Sequence, residues 1–325
     1  MEVSFRQVDW PFASTFRIAY RTQTVAETIL VELREGELVG RGEGLCVVYH
    51  GETPESLLQQ VAEVRNDLAN GLTREALQLR LPPGGARNAI DCALWDLEAK
   101  LAKRRAWELA GIPSVKPLIT AYTLTMDTPE AMGRAAAAVP QYSLLKLKLG
   151  GDHDVERVMA VRKIRRDATL IVDANQSWTP RQLEDITPQL ASLGVQLIEQ
   201  PLPFADDDFL SHFHSPVPLC ADESCQDADS MAALTGKYDY VNIKLDKTGG
   251  LTEALRLARA AQSAHFKLMV GCMAGSSLAM APAFIIGQCC GFVDLDGPLL
   301  ATKDVPGGIL YEGSRMHPPE SKLWG

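Results

Sequence analysis

Charged side chains close a series of short, strand-like runs in the second half of the chain. Three of these closures are carboxylates at the ends of consecutive runs: Asp173, Glu199 and Asp222. If the runs are neighbouring barrel strands, about 4.8 Å apart, the three carboxylates converge on one site. Ligation by oxygen alone favours a hard cation such as Mg²⁺, because zinc would favour His or Cys. One Asp after a strand is usually a helix cap or turn residue, so the prediction of a Mg²⁺ cofactor rests on the whole set.

Two lysines flank this carboxylate set and suggest a reaction. Lys148 closes the run before the carboxylates, and Lys244 closes the run after them. Removing a proton next to a carboxylate creates an enolate dianion, which requires a preorganised metal and cations near neutral pH. Neighbouring cations also lower the pKa of a lysine, so one amine can act as the base while its protonated partner acts as the acid. Two opposed acid/base groups permit inversion at carbon, which is racemase or epimerase chemistry.

The elements that must position these residues alternate between strand-like runs and amphipathic helices beyond Pro113. Eight such runs predict an α/β fold, a (β/α)₈ barrel whose active site lies at the carboxyl ends of its strands. A doubly wound open sheet is the structural alternative. The predicted strands are Leu118–Thr125, Leu144–Leu149, Thr169–Ala174, Val195–Gln200, Leu219–Ala221, Tyr240–Leu245, Lys267–Cys272 and Phe292–Leu295.

The first part of the chain has strands followed by helices, which is typical of an α+β domain. A strand at Thr28–Leu33, followed by a turn and a second short run, predicts a hairpin. Helices are predicted at Pro54–Asn70 and Ala86–Leu109, the second ended by Gly111 and Pro113. We therefore divide the chain into an α+β domain (1–113), a barrel (114–299) and a C-terminal segment (300–325) that packs back on the first domain.

Composition limits the classes of function. The net charge is −9, from 41 acidic and 32 basic residues, with no basic tract of the kind that nucleic-acid binding requires. Seven cysteines without metal-ligand spacing indicate free thiols in a reducing, cytoplasmic compartment. The apolar stretch Leu268–Cys290 is interrupted by polar residues and Pro282, which predicts a buried strand and helix rather than a membrane span.

Five short motifs together resemble the enolase superfamily, in its muconate-lactonizing-enzyme subgroup. The resemblance covers essentially the whole chain, and it includes a helix, Ala86–Leu97, that is similar to one in the family's capping domain. It implies a modified TIM barrel, (β/α)7-8β, with an N-terminal α+β capping domain. The motifs are KxK at Lys146–Lys148, DAN at Asp173–Asn175, EQP at Glu199–Pro201, ADES at Ala221–Ser224 and NIK at Asn242–Lys244.

Within that superfamily the chain resembles the dipeptide epimerases of the L-Ala-D/L-Glu type, through the segment Val241–Ala254 and the pair Asp294 and Asp296. The resemblance implies that the acidic pair meets the free ammonium of a dipeptide, that Lys146 supports the substrate carboxylate and that Thr123 lines the pocket. It also implies a homo-oligomer that acts in peptidoglycan-peptide metabolism.

The remaining site residues are implied in the same way. Lys148 and Lys244 correspond to the family's acid/base pair, and Asn175 and Glu223 are expected to support the metal ligands. Gln23 falls where glutamate-specific members carry an arginine, and Arg21 and Arg17 lie nearby in the sequence. The sequence therefore does not determine the identity of the second residue of the dipeptide.

Three other functions remain alternatives. The first is another reaction of the same superfamily, namely N-acylamino acid racemisation, o-succinylbenzoate synthesis or muconate cycloisomerisation. Asp294 and Asp296 argue against it, because those substrates lack a free ammonium.

The second alternative is a Schiff-base aldolase that uses Lys244 as its nucleophile, which leaves the three carboxylates without a role. The third is a non-catalytic binding protein on the same barrel.

Overall fold

The computed structural model describes all 325 residues, and it begins with a three-stranded antiparallel sheet. The strands are β1 (Glu2–Ile18), β2 (Arg21–Glu35) and β3 (Leu38–Leu45), paired in that order. The predicted β2–β3 hairpin is confirmed. The sequence did not predict β1, because this edge strand is largely exposed and lacks a regular alternation of apolar and polar residues.

Alternate glycines on β3 let a helix pack directly on the sheet. Gly40, Gly42 and Gly44 point towards α3 (Gly85–Ala102), since residues two apart share one face of a strand. A Cβ atom at any of the three would lie no more than 2.2 Å from a backbone oxygen of this helix. Only glycine permits this approach.

Four helices complete the N-terminal part, and one predicted boundary was wrong. The predicted helix Ala86–Leu109 is interrupted after Ala102, where Lys103 adopts a left-handed conformation (φ 52°) and ends α3. A left-handed residue satisfies the last carbonyls of a helix, and the sequence has no glycine there to signal it. The helices are α1 (Pro54–Ala69), α2 (Arg74–Arg80), α3 and α4 (Ala106–Leu109).

The second part is a closed barrel of eight parallel strands, as predicted. The strands pair in chain order from β5 to β12, and a parallel bridge between Thr120 and Val293 joins the last strand to the first. Closure excludes the doubly wound open sheet. The short strand β4 (Leu118–Ile119) precedes β5 (Tyr122–Leu124), and the others are β6 (Leu144–Lys148), β7 (Thr169–Asp173), β8 (Val195–Glu199), β9 (Leu219–Ala221), β10 (Tyr240–Ile243), β11 (Lys267–Val270) and β12 (Phe292–Val293).

Helices surround the barrel, with only a short 3₁₀ helix (Asp207–His212) between β8 and β9. The stretch Leu268–Cys290 forms β11 and α11, as predicted. None of the helices combines the length and apolar character needed to cross a bilayer. The helices are α5 (Pro129–Ala137), α6 (Asp154–Ile164), α7 (Pro180–Ser192), α8 (Met231–Leu234), α9 (Leu245–Thr248), α10 (Leu251–Ser263), α11 (Ser277–Gly287) and α12 (Gly297–Leu300).

Inside the barrel an apolar layer supports a polar one. Leu144, Ile171 and Leu197 belong to one buried apolar cluster. Two residues further along their strands lie Lys146, Asp173 and Glu199, which face the same side because strand side chains alternate. The polar groups therefore rest on a packed apolar layer. These residues belong to β6, β7 and β8.

The last residues of the chain lie against the N-terminal part. Gly325 N donates to Asp96 (2.7 Å) on α3, and the Trp324 indole donates to the Cys92 carbonyl (3.1 Å). Two short strands, β13 (Tyr311–Glu312) and β14 (Arg315–Met316), form a small sheet with β4. The C-terminal segment thus contacts α3 of the N-terminal part and pairs with β4, the short strand that precedes the barrel.

Buried hydrogen bonds join the N-terminal part to the barrel next to Lys244. Asp246 Oδ1 accepts from Leu45 N (2.8 Å) and Asn88 Nδ2 (2.7 Å). The Arg87 guanidinium donates to the Thr248 carbonyl (2.7 Å). Burial raises the pKa of Asp246 to about 7. These contacts hold the turn after β10 in one position.

Candidate active site

Three carboxylates converge at the carboxyl ends of neighbouring strands, as the sequence predicted. Asp173 ends β7, Glu199 ends β8 and Asp222 follows β9. All three are buried, and their oxygens lie within 4.8 Å of one another. Buried carboxylates at this distance repel one another strongly unless cations compensate them.

The environment of Glu199 fits a metal ligand. Burial and the neighbouring charge of Asp173 raise the pKa of Glu199 to about 7. Its Oε2 accepts no hydrogen bond, although Lys146 Nζ lies 2.7 Å away outside hydrogen-bond geometry. A cluster of buried carboxylate oxygens, one of which accepts no hydrogen bond, suits a hard divalent cation. Together with Asp222, these residues form a divalent-metal site.

Two lysines lie on either side of the metal site. Lys148 Nζ is 2.6 Å from Asp173 Oδ2, and Lys244 Nζ is 2.6 Å from Asp222 Oδ2. They come from β6 and the end of β10, the strands that flank the three ligand-bearing strands. Burial acts to lower the pKa of Lys244, but Asp222 and nearby carboxylates outweigh it, so the pKa is raised.

Lys247 is a site residue that the sequence analysis missed. Its side chain is fully buried, and Nζ lies 2.7 Å from Asp222 Oδ1 and 3.1 Å from the Asn242 carbonyl. Asp222 thus contacts one ammonium through each oxygen, Lys244 through Oδ2 and Lys247 through Oδ1. Burial opposes ionisation of Asp222, but the two lysines outweigh it and lower its pKa. The available signal was a second lysine three residues after Lys244.

Replacing Lys247 by methionine is expected to destabilise the fold by about 3–5 kcal/mol, because it leaves part of a buried ion pair unpaired. Urea unfolding followed by circular dichroism measures the change. Lys163→Met, at an exposed lysine, is the matched control and should stay within about 0.5 kcal/mol of the wild type. A Lys247→Met variant as stable as this control would contradict the assignment.

The acidic pair after β12 differs in how its two charges are compensated. Asp294 Oδ2 lies 2.7 Å from Lys146 Nζ. Asp296 has no ion-pair partner, and its Oδ2 accepts from Thr123 N (2.6 Å). Burial and the charge of Asp294 raise the pKa of Asp296 to about 7. Asp296 is therefore the carboxylate of the pair that is free to meet a cation.

A pocket of about 290 Å³ brings most of the predicted residues together. The barrel supplies charged and polar groups, and the N-terminal part supplies loops around Arg21 and Tyr49. Lys146, Asp173 and Glu199 lie deeper, beneath this lining. The predicted residues that line the pocket are Gln23, Thr123, Lys148, Asn175, Asp222, Glu223, Lys244, Asp294 and Asp296.

Asn175 and Glu223 occupy the pocket wall beside the metal ligands. Asn175 N donates to Asp173 Oδ1 (2.9 Å), so the backbone of this residue supports a ligand. Asn175 Oδ1 and Glu223 Oε2 are buried without a hydrogen-bond partner. Burial and the charge of Asp222 raise the pKa of Glu223 to about 8. A supporting role for both side chains remains a prediction.

Two family models match consecutive parts of the chain. Residues 1–111 match the N-terminal domain of mandelate racemase / muconate lactonizing enzyme, and residues 130–321 match the enolase C-terminal domain-like family. The chain belongs to the enolase superfamily. This membership and the closed barrel agree with the fold that the sequence motifs implied.

Several known proteins are similar to this one over nearly the whole chain. The L-Ala-D/L-Glu epimerase of Escherichia coli (strain K12) is 44% identical, covering 95% of this chain and 97% of its own. The N-acetyl-D-glutamate racemase of a Pseudoalteromonas species is 43% identical, covering 91% and 95%. An Agrobacterium tumefaciens enolase family member with homology to dipeptide epimerases, solved with sodium and L-Ala-L-Glu, is 42% identical, with a TM-score of 0.97 and 99% of both chains covered.

Proposed function

We propose that this enolase-superfamily protein is a Mg²⁺-dependent dipeptide epimerase that inverts the α-carbon of the second residue. The observation that carries the proposal is the order of the strands: a lysine on each side of three converging carboxylates, Asp173, Glu199 and Asp222. All-oxygen ligation at this site favours Mg²⁺.

The chain's own residues provide the two proton transfers. A divalent cation at the carboxylate site would stabilise the negative charge that develops when the α proton leaves. Lys148 removes that proton from one face of the carbon, and the ammonium of Lys244 returns a proton to the opposite face. The reverse direction exchanges these roles. Lys146, between Glu199 and Asp294, is placed to hold a positive charge near the substrate carboxylate.

The free charge of Asp296 favours a substrate with an ammonium over an N-acylated one. A buried carboxylate without a cation partner binds an ammonium through a charge-assisted hydrogen bond, whereas an acyl group would leave it unpaired. This point separates the activities of two similar proteins, an L-Ala-D/L-Glu epimerase and an N-acetyl-D-glutamate racemase. Because ammonium binding requires the ionised form, affinity for dipeptides should rise as the pH increases through about 7.

Asp296→Asn is expected to reduce the preference for free amines. The amide keeps an acceptor for Thr123 N but loses the charge, so kcat/KM for L-Ala-L-Glu should fall by roughly 10–100-fold relative to that for N-acetyl-L-glutamate. Steady-state kinetics on both compounds measures the ratio. An unchanged ratio would remove this role from Asp296.

Arg21 is the best candidate partner for an acidic side chain on the second residue. It lines the pocket and makes no ion pair within the protein. Arg17, the other arginine of this region, is paired with Asp127 (3.0 Å) and does not line the pocket. Gln23 lines the pocket as well and can donate a hydrogen bond. The pair Arg21 and Gln23 therefore supports glutamate as the second residue.

Arg21→Met is expected to lower kcat/KM for L-Ala-L-Glu by roughly 10–100-fold, because a charge-assisted hydrogen bond to the side-chain carboxylate is lost. Activity on L-Ala-L-Met should change little. Arg17→Met serves as the matched control and should keep the ratio of the two activities. If Arg17→Met alters the ratio and Arg21→Met does not, the assignment is reversed.

The proposed activity is tested by incubating the protein with Mg²⁺ and L-Ala-L-Glu in D₂O. Deuterium should enter only the α position of the second residue, with both diastereomers formed. Loss of activity with EDTA and recovery with Mg²⁺ would agree, whereas borohydride trapping of a carbonyl substrate on Lys244 would support the aldolase. If no member of a dipeptide library exchanges its α proton, the proposal is contradicted. The alternative of a non-catalytic binding protein would then remain.

A further inference from the structure

A second cavity, of about 200 Å³, lies beneath the β1–β2 hairpin and beside the acidic pair. Ten of its 13 lining residues are hydrophobic, and none carries a charge. Its walls come from the hairpin, the outer face of β5 and the ends of α5 and α12. They include Phe12, Phe16, Tyr122, Leu124, Ala138 and Leu299.

The roof of this cavity is a bulge in β1. Between the pairs Pro11–Val25 and Phe16–Gln23, β1 advances five residues while β2 advances only two. The extra residues loop out of the ladder, as in a β-bulge. Thr302 N donates to the Pro11 carbonyl (2.8 Å) on one side of the bulge. Backbone contacts thus hold the bulge over the barrel.

The far side of the bulge is attached in the same way. Met126 N donates to the Arg17 carbonyl (3.1 Å), and Arg17 N donates to the Thr125 hydroxyl. Phe12 and Phe16 pack against each other between these attachments, with ring centroids 5.5 Å apart. The roof is therefore fixed at both ends, and the space beneath it is preformed.

The second cavity adjoins the main pocket where an ammonium would bind. Phe12, Phe16, Thr123 and Leu300 line both spaces. Thr123 is also the residue whose backbone N–H donates to Asp296. In a dipeptide the ammonium and the first side chain are attached to the same carbon. An ammonium at Asp296 therefore places the first side chain beside the residues that the two spaces share.

The size and lining of the cavity indicate which side chain fits. One water-sized group needs about 10–15 Å³ of such space, so about 200 Å³ accommodates several carbon atoms. An alanine methyl group would leave most of the space empty. A branched aliphatic side chain would exchange water contact for apolar contact, whereas a charged one would lose hydration without gaining a partner.

We propose that this cavity is the subsite for the first side chain of the dipeptide, and that the enzyme prefers branched aliphatic residues such as leucine there. The proposal rests on the proposed epimerase function, since it takes the ammonium to lie at Asp296. It extends that function by naming the class of first residue.

The test compares kcat/KM for L-Leu-L-Glu, L-Ala-L-Glu and L-Asp-L-Glu. Leucine in the first position should raise kcat/KM by roughly 10-fold over alanine, because added methylene groups enter an apolar subsite, and aspartate should lower it. Ala138→Leu fills the second cavity from a residue that does not line the main pocket, so it should remove most of the gain from leucine. Ala137→Leu is the control, because this exposed neighbour lines neither space. This variant should keep the higher kcat/KM for L-Leu-L-Glu over L-Ala-L-Glu.

Two outcomes overturn the subsite and are distinguishable from failure of the proposed function. If L-Leu-L-Glu is epimerised no faster than L-Ala-L-Glu, or if Ala138→Leu leaves their ratio unchanged, the subsite assignment is wrong and the epimerase function stands. If no dipeptide exchanges its α proton in D₂O, the epimerase function itself fails and the subsite fails with it.

Discussion

Replacing Lys148 or Lys244 by alanine is expected to lower kcat for epimerisation of L-Ala-L-Glu by ~10²–10⁴-fold, the usual contribution of a positioned acid or base. Each variant keeps one lysine, on β6 or after β10, and so keeps proton transfer at one face of the α-carbon. Exchange of the α proton with solvent should therefore survive for one diastereomer only. The two variants should retain exchange on opposite diastereomers, which NMR in D₂O measures directly.

Lys163→Ala is the matched control for these variants, because this lysine is exposed on α6. It should keep wild-type epimerisation and exchange on both diastereomers. If both active-site variants keep full epimerase activity, the two-base scheme is wrong. If both lose or retain exchange on the same diastereomer, the lysines do not lie on opposite faces of the substrate.

Glu199→Gln should weaken divalent-metal binding and lower kcat/KM by ~10³-fold or more, because one of three anionic ligands becomes neutral. The amide retains an oxygen that can accept the hydrogen bond from Asn242 Nδ2 (2.8 Å), so the fold should be preserved. Isothermal titration with Mg²⁺ or Mn²⁺ measures binding independently of activity. Lys146, which lies 2.7 Å from Glu199 Oε2, would lose one counter-charge in the same variant.

Glu184→Gln provides the control, since this glutamate is exposed on α7. It should bind the metal ion with wild-type affinity. A Glu199→Gln variant with the same affinity as this control would mean that Glu199 is not a metal ligand. The metal site would then need another set of residues.

The convergence of the carboxylates could be predicted because it depends only on strand periodicity and on which residue closes each strand. Asp173 and Glu199 are the last residues of β7 and β8, so parallel pairing brings them together wherever the helices lie. The same reasoning located Lys148 and Lys244. The motifs then added the identity of the family, which spacing alone could not supply.

Other features depend on contacts between distant parts of the chain, and the sequence could not predict them. Lys247 reaches Asp222 only because α9 turns the chain back towards the barrel. Likewise, Arg17 forms an ion pair with Asp127, whereas Arg21 lines the pocket, although both lie just before Gln23 in the sequence. Arg17 lies near the end of β1 and Arg21 begins β2, and which of them contacts Asp127 depends on tertiary packing that no local pattern indicated.

The most direct test of the account is a crystal structure of the protein with Mg²⁺ and L-Ala-L-Glu. We predict one metal ion held by oxygens of Asp173, Glu199 and Asp222, with the substrate α-carbon between the amines of Lys148 and Lys244. A metal ion bound elsewhere, or both amines on one side of that carbon, would contradict the two-base epimerase.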